Sequence, residues 1–588
     1  MGNTQEVIQV LIGGSAGSGS LTAGTVLGRA LTRLGYHVVG VNEYPSIIRG
    51  GHTAYWVRAG VDEVYELDNY CDYIIAMDPD TFTRHEKEFS DKTIVIYDPE
   101  QIKINPPRGK VYSIPLRKLL REHNLQPISM NMISIGATAA LLGIPLEYIY
   151  KGIEDQFSGK QKIIDINKKA ATIGYEYASM NPLENAPGLL PPKPWGERIY
   201  VTGNEALSLG MIKAGVKFYA AYPMTPASSI LHYMISVSRE KDIIVVQAES
   251  EIAAAQMVLG AAWAGVRAAT ATSGGGFALM NETLSMAGMV EAPMVIILAM
   301  RAGPSTGMAT MNGQEDLLYA VFAGHGEFTK LVVAPEDQYH AYKRIIETFN
   351  LAEKYRVPAI VLEDKHMAES HRSVHAFPED VIIDRGPLLF PEEAMKKIKE
   401  GWVFKPYEIT ETGVSTWVIP GTPGALVKSD GNEHDEFGYR TIDPVIASKM
   451  YLKRIRKGEY LRREIEEKYD PIKTYGYSID EADLIVFSFG SATWAVLEAK
   501  KYLDKQGLKI AVVQPVYLAP FPVNVFKKII GNNTSKPMVT VEYNATGLLG
   551  KLIALETGIK PHGHIGKVDG RPFRAQDLAR EIEKFYKR

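Results

Sequence analysis

The sequence contains only one cysteine, Cys71, among its 588 residues. One thiol cannot close an intrachain disulfide, hold an iron–sulfur cluster or complete a structural zinc site. The chain also lacks the basic start and apolar stretch of a signal peptide, and it has no run of roughly 18 apolar residues. We therefore expect a cytoplasmic protein that does not span a membrane.

An excess of charge of either sign is also missing. The 65 basic and 68 acidic residues leave a formal net charge of −3, so the overall charge does not indicate a nucleic-acid partner and we expect none. Because 588 residues are too many for one hydrophobic core, we expect several domains.

Residues 1–180 alternate between predicted strands and helices. A predicted strand over 7–12 leads into GGSAGSGS (13–20) and a helix over 21–34. A glycine-rich turn at the start of a helix suits a phosphate or another anion, although it fits the dinucleotide pattern GxGxxG only loosely. A second flexible loop, Arg49-Gly50-Gly51-His52, follows the next strand. The alternation predicts a parallel sheet covered on both faces.

The rest of the chain divides by composition and pattern. Residues 181–197 are rich in proline and lack periodicity, which predicts an extended linker. The α/β pattern resumes over 198–372 and again over 471–588, with a connecting segment at 373–470 that carries a charged helix.

Four predicted strands of the second unit end in polar or glycine-rich loops. In chain order these loops carry Thr225, Glu251, Ser273–Gly276 and Arg301. Because ligands bind at the carboxyl ends of parallel strands, we expect these groups to form a small-molecule site. Alternatives stay open: the acidic residues before Ile252 could cap its helix, Arg301 could be a surface cation, and the glycines could serve only a turn.

The motifs of this unit resemble those of the 2-oxoacid:ferredoxin oxidoreductases, which are thiamine-diphosphate enzymes. YPMTPASS (222–229) resembles the family signature YPITPSS. The other matching stretches are TGNEALSLG (202–210), ESEIAAAQMVLGAAWAG (249–265), TATSGGGFALMNE (270–282), RAGPSTGMAT (301–310), HGEF (325–328), EHDEFGY (433–439) and VDGRPF (568–573). GGSAGSGSLTAG with RGGH resembles the γ domain of the family.

The resemblance implies an α subunit with a fused amino-terminal γ domain. The expected fold is multidomain α/β. It comprises a parallel-sheet γ domain (1–180), a thiamine-diphosphate pyrimidine-binding-like domain (198–372) and a transketolase C-terminal-like domain (471–588).

The resemblance also implies roles for individual residues. Glu251 corresponds to the glutamate that hydrogen-bonds N1′ of the thiamine aminopyrimidine, and Glu249 is the second choice. The implied substrate contacts are Thr225, Arg301 and Thr310, with Arg301 clamping the carboxylate of the oxoacid. Further cofactor contacts are expected at Tyr222, Pro223, Ser273 and Gly274, and candidate contacts to coenzyme A at Gly14, Gly17, Gly19 and Arg49. No residue of this chain is expected to bind a metal.

A Gly-Asp-Gly motif with a suitably spaced asparagine, which would hold magnesium and the diphosphate, is absent, because Asp430-Gly431 stands in a different context. The resemblance therefore implies that Mg²⁺ and the iron–sulfur cluster belong to a separate β subunit. We expect a hetero-oligomer that oxidatively decarboxylates a 2-oxoacid to acyl-CoA and CO₂ and reduces ferredoxin.

Two other functions stay open at this point: an NAD(P)-dependent oxidoreductase that uses the amino-terminal glycine loop, and a non-catalytic scaffold of the same fold. The identity of the oxoacid is also open, since MNGQEDL (311–317) replaces the more usual KPEQSDL-like run next to the expected substrate threonine.

Overall fold

A computed structural model describes residues 4–46, 50–193 and 195–588. Arg49, one of the candidate coenzyme A contacts, lies outside the described residues. The elements up to residue 197 are β1 (Thr4–Gln5), β2 (Val7–Ser15), α1 (Ser20–Leu34), β3 (His37–Glu43), β4 (His52–Gly60), β5 (Tyr73–Ala76), α2 (Asp80–Arg84), β6 (Ile94–Tyr97), β7 (Lys110–Ser113), α3 (Leu116–Glu122), α4 (Met130–Leu142), α5 (Leu146–Gln156), α6 (Gln161–Met180) and β8 (Gly188–Leu189).

The amino-terminal sheet is mixed rather than wholly parallel. Strands β7, β6, β5 and β2 run parallel in that order, as the sequence predicts. Strand β4 then pairs antiparallel with both β2 and β3. Strand β4 was not predicted from the sequence, because its nine residues are all buried and show no polar alternation. The prediction of a parallel sheet therefore holds only for four strands of this unit.

The central unit contains a second sheet. Its elements are β9 (Arg198–Thr202), α7 (Gly203–Lys213), β10 (Phe218–Ala221), α8 (Ser228–Lys241), β11 (Ile244–Gln247), α9 (Glu251–Trp263), β12 (Ala268–Thr272), α10 (Gly274–Leu279), α11 (Asn281–Met289), β13 (Val295–Met300), α12 (Leu317–Phe322), β14 (Leu331–Val333), α13 (Gln338–Tyr355), β15 (Ala359–Asp364), α14 (Lys365–Glu369) and β16 (His371–His375). The strand order is β11-β10-β12-β13-β15-β14, and all these neighbours are parallel. Apolar cores cover both faces, as expected for a parallel sheet.

The carboxy-terminal part contains a five-stranded sheet of order β19-β21-β20-β23-β24. Its elements, with those of the connecting segment, are β17 (Leu388–Leu389), α15 (Pro391–Lys399), β18 (Trp417–Val418), α16 (Pro444–Lys468), β19 (Ile472–Gly476), β20 (Leu484–Phe487), α17 (Ala492–Lys505), β21 (Ile510–Pro515), β22 (Tyr517–Ala519), α18 (Val523–Ile530), β23 (Met538–Glu542), α19 (Leu548–Thr557), β24 (Gly563–Gly566) and α20 (Ala575–Tyr586). The predicted multidomain α/β class is confirmed.

Strands exchanged between sheets join the units. Strands β16 and β9 extend the amino-terminal sheet beside β3, and β22 adds an antiparallel edge to the central sheet next to β14. The domain boundaries drawn from the sequence stay predictions. Within the described ranges, every helix is too short or too polar to cross a membrane.

Candidate functional site

The four predicted strand ends lie side by side at one edge of the central sheet. Their strands, β11, β10, β12 and β13, are consecutive neighbours with the same direction. The loops that follow them carry Glu251, Thr225, Ser273 and Arg301. Because the carboxyl ends of parallel strands share an edge, these four groups face a common region. The predicted convergence is therefore present in the structure.

Glu251 is the first residue of α9, and its side chain is 4% exposed. The cap of this helix comes from Ser250, whose Oγ accepts a hydrogen bond from the backbone N–H of Ala253 at 3.2 Å. Among the described residues, Glu251 Oε1 is buried and has no hydrogen-bond partner. The interpretation of Glu251 as a mere cap is therefore wrong, and its carboxyl group is available to a ligand. Glu249 is exposed.

The first turn of α10, which begins with three glycines, lies against this carboxyl group. A Cβ atom at Gly276 would lie 2.6 Å from Glu251 Oε1, so only glycine allows the approach. The residue before the turn, Ser273, is fully buried, and its Oγ also lacks a partner within the described ranges. Two buried polar atoms without partners fit a bound heterocycle that carries both a donor and an acceptor.

Arg301 is held in place by the loop after β10. Its Nη1 donates a hydrogen bond to the carbonyl oxygen of Thr225 at 2.7 Å. Burial lowers the pKa of Arg301 while Asp316 raises it, and the guanidinium stays charged at any ordinary pH. A guanidinium has five N–H donors, so this contact fixes its position and leaves donors for a carboxylate. Arg301 is therefore a positioned, half-buried cation and not a free surface charge.

The loop after Arg301 folds back on itself and returns Thr310 towards the strand end. The backbone N–H of Ala302 donates to the carbonyl oxygen of Met311 at 3.1 Å, and that of Met308 donates to Ala302 at 2.9 Å. Thr310 is buried and lines a cavity of about 550 Å³. Among the other residues that line this cavity are Trp56, His85, Lys365, His366, Arg571 and Arg574. The cavity thus lies between the amino-terminal, central and carboxy-terminal units.

The candidate coenzyme A glycines lie at the end of β2 and in the turn before α1. The carbonyl oxygen of Gly14 accepts a hydrogen bond from Thr53 Oγ1 at 3.1 Å. Gly17 and Gly19 form the turn before α1, both with positive φ. None of the three glycines lines the cavity that contains Thr310. Their role stays a prediction.

Asp364 anchors the loop that follows Arg301 to two other parts of the chain. Its carboxylate accepts hydrogen bonds from Gln314 Nε2 at 2.8 Å, from the backbone N–H of Met367 at 3.0 Å, and from the N–H and Oγ of Ser491 at 3.0 and 2.6 Å. Asp364 was not predicted from the sequence, because its partners are far apart in the chain. Asp316 and Lys365, which follow other strand ends or loops at the same edge, were not predicted either.

Replacing Asp364 by alanine should destabilise the protein by about 3 kcal/mol, because four donors lose a charged, buried acceptor. The loop that carries Thr310 should also become more sensitive to limited proteolysis. Urea denaturation followed by fluorescence measures the first effect, and proteolysis followed by mass spectrometry the second. Asp380→Ala, which changes an exposed carboxylate, is the control. Equal urea midpoints for the two variants would contradict the anchoring role.

Two family models match the chain. One, described as pyruvate flavodoxin/ferredoxin oxidoreductase, thiamine diP-bdg, matches residues 209–451. The other, described as pyruvate ferredoxin/flavodoxin oxidoreductase, matches residues 9–177. The first of these contains all four strand ends of the site. Fold and site together define the chain as a subunit of a thiamine-diphosphate-dependent oxidoreductase.

Relatives match over almost the whole length. The alpha subunit of 2-oxoacid:ferredoxin oxidoreductase 2 of Aeropyrum pernix is 33% identical over 98% of this chain and 97% of its own. The 2-oxoglutarate synthase subunit KorA of Methanocaldococcus jannaschii is 31% identical over 65% of this chain and 98% of its own. A solved 2-oxoglutarate:ferredoxin oxidoreductase from Magnetococcus marinus, with 2-oxoglutarate, coenzyme A and succinyl-CoA bound, superposes with a TM-score of 0.89. It is 30% identical and covers 99% of this chain and 100% of that one.

The chain belongs to the 2-oxoacid:ferredoxin oxidoreductase family, as an alpha subunit of a multi-subunit enzyme. This membership favours the oxidoreductase over the two alternatives that the sequence left open, an NAD(P)-dependent enzyme and a non-catalytic scaffold.

Proposed function

We propose that this chain supplies one half of an active site that oxidatively decarboxylates a 2-oxoacid to acyl-CoA and CO₂, with electrons passing to ferredoxin. The observation that carries the proposal is the buried Glu251 carboxyl group, whose Oε1 has no partner among the described residues. A buried acid beside a polar pocket is what the aminopyrimidine of thiamine diphosphate requires. Bound thiamine diphosphate would supply the carbon nucleophile of the reaction.

The residues around Glu251 have separate roles in binding the cofactor and the substrate. Glu251 holds the proton at N1′ of the aminopyrimidine. The walls of the cofactor pocket are formed by Ser273 and Gly274 on one side and by Tyr222 and Pro223 on the other. Arg301 binds the carboxylate of the 2-oxoacid through the guanidinium N–H groups that do not bond to the Thr225 carbonyl oxygen. Thr225 and Thr310 place hydroxyl groups on the substrate side. Glu249 is exposed and is the weaker choice for the cofactor.

A β subunit completes this site in the proposal. This chain has no motif for Mg²⁺ and the diphosphate, and its single cysteine cannot hold an iron–sulfur cluster. Large apolar side chains are exposed on the elements that carry the half-site, namely Tyr222, Ile252, Met257, Leu279 and Met308. Exposed apolar groups around an incomplete polar site are typical of a protein interface.

Coenzyme A enters, in the proposal, through the 550 Å³ cavity that contains Thr310. Its lining includes four cations that suit a diphosphate or a 3′-phosphate once the phosphate displaces the carboxylates now paired with them, namely Lys365, Lys567, Arg571 and Arg574. Thr310 belongs to both this cavity and the loop that follows Arg301, which is why we place the entry of the thiol here. The glycine loops at Gly14, Gly17 and Gly19 stay candidates for the far end of the same ligand, and so does Arg49 by sequence.

The isolated chain should be inactive and should bind thiamine diphosphate weakly. Without the partner's metal and diphosphate contacts, we expect an affinity on the order of 100-fold weaker than that of the αβ complex. Calorimetric titration of the lone chain and of the complex measures this difference. Viologen reduction with pyruvate, 2-oxoglutarate and a branched-chain 2-oxoacid then identifies the substrate. Tight binding or turnover by the lone chain would refute the shared site.

A further inference from the structure

Large apolar side chains are concentrated on the surface of one short stretch, residues 437–455, which includes the start of α16. In the described part of the chain 33 large apolar side chains are exposed, and eight of them lie in these 19 positions. An even spread of 33 over 588 residues would place about one in a stretch of this length. The most exposed are Ile442 at 90%, Val445 at 59% and Leu452 at 56%. Single exposed apolar residues are ordinary, but a cluster of this kind marks a contact with another molecule.

Hydrogen bonds hold this 437–455 surface in a fixed shape. The Asp435 carboxylate accepts hydrogen bonds from the backbone N–H groups of Phe437 and Tyr439 at 2.9 and 3.0 Å, which closes a tight turn. Asp443 caps α16 by accepting hydrogen bonds from two backbone N–H groups of the first helical turn, at 2.9 and 3.0 Å. Because these exposed groups are already ordered, little conformational entropy is lost when a partner covers them. The surface is therefore preformed for docking.

The 437–455 surface adjoins the elements that carry the half-site. Helix α11 packs against α9, the helix that begins with Glu251, and exposes Met286. A Cβ atom at Gly431 would lie 3.3 Å from Met286 Sδ, so the loop that precedes the surface touches α11. A groove of about 250 Å³ separates α11 from α16, and its lining includes Met286 and Tyr451. The exposed apolar groups thus continue from α9, by way of Met286 and the groove, to Tyr451 on α16.

We propose that the 437–455 surface is a second docking site for the β subunit, next to the half-site that this subunit completes. The proposal rests on the proposed function, which makes the β subunit the chain that covers the neighbouring apolar groups on α9. A partner seated there reaches α16 across the groove, so one continuous contact buries both sets of side chains. The surface fits a segment of the β subunit with large apolar side chains, which Phe437, Tyr439 and Ile442 anchor.

The first test measures the affinity of the full-length chain for the immobilised β subunit by biolayer interferometry. Ile442→Asp should weaken binding by about 100-fold, because the contact would bury an unpaired carboxylate. Tyr439→Ala, which only removes an exposed ring, should weaken binding by about tenfold. Ile382→Asp is the matched control, since Ile382 is also very exposed, at 82%, but lies outside the surface. This control should change the affinity by less than about twofold.

The second test needs no variant and therefore does not depend on how a substitution affects folding. Amide hydrogen exchange of the wild-type chain is followed by mass spectrometry with and without a saturating amount of the β subunit. Residues 437–446 should exchange at least about fivefold more slowly in the complex, because the partner covers them. Residues 380–384, which surround Ile382, should exchange at the same rate in both samples.

Three results would overturn the proposal. The first is an affinity of Ile442→Asp for the β subunit equal to that of wild type, and the second is unchanged exchange at 437–446. The third is a variant that keeps its affinity for the β subunit but halves the mass of the assembled complex in light scattering, since the surface would then join two copies of this chain. Failure of the proposed function looks different: the wild-type chain alone would bind thiamine diphosphate tightly or turn over a 2-oxoacid without the β subunit.

Discussion

Replacing Glu251 by glutamine lowers kcat of the reconstituted complex by about 100- to 10,000-fold, the range lost when a positioned acid or base is removed. In the proposed function Glu251 holds the proton at N1′, and an amide of nearly the same size cannot hold or release it. The buried position of the side chain, 4% exposed, leaves no water to replace it. Stopped-flow viologen reduction with saturating 2-oxoacid measures the rate.

Binding must be measured beside the rate. Because glutamine preserves volume, the calorimetric affinity of the αβ complex for thiamine diphosphate should change by less than about tenfold. Glu282→Gln, an exposed glutamate in the first turn of α11, is the control and should keep the wild-type rate. If Glu249→Gln produced the large loss and Glu251→Gln did not, the cofactor contact would belong to Glu249. An unchanged rate in both variants would exclude a catalytic role for either glutamate.

The site could be predicted from the sequence where residues that end a strand mark it. The prolines at 223 and 226, Ser250 before a small-residue helix, and the Gly274–Gly276 turn each end a strand within a few residues. Local signals of this kind locate strand ends, and the parallel direction of the strands then brings the ends together. That is why Thr225, Glu251 and Arg301 could be grouped without a structure.

Features that depend on distant partners were not predictable. Asp316 lies against Gly274, which is 42 residues before it in the chain, and no local signal in the sequence marks this approach. The addition of β9 and β16 to the amino-terminal sheet was also not predicted, since pairing between distant segments has no local signature. The charged helix α16 is the clearest case. Its sequence predicts a solvated surface, yet two of its lysines are among the most buried side chains of the protein.

These two lysines meet one carboxylate inside the protein. Lys453 Nζ donates to Glu291 Oε1 at 2.6 Å, and Lys457 Nζ donates to the other oxygen. The guanidinium of Arg356 lies close by and donates to the Glu291 carbonyl oxygen at 3.2 Å. Burial raises the pKa of Glu291, but the combined effect of the three cations is larger and holds this pKa well below the usual range of a carboxyl group. One anion thus faces three buried cations and joins α16 to the central unit.

Replacing Glu291 by glutamine should destabilise the protein by about 3–5 kcal/mol, because it leaves buried cations without a counter-charge.

Lys457→Met should be nearly neutral or stabilising, since it removes a surplus cation. Burial lowers the pKa of Lys457 to about 7, so between pH 7 and about 10 the unfolded chain binds more protons than the folded one, and this group makes stability rise with pH. The advantage of Lys457→Met over wild type should therefore be largest near pH 6 and should shrink by pH 9. Urea midpoints of the three proteins at pH 6, 7.5 and 9 measure both effects. A midpoint of Glu291→Gln equal to wild type, or an advantage of Lys457→Met that grows with pH, would show that the cluster is not charged in this way.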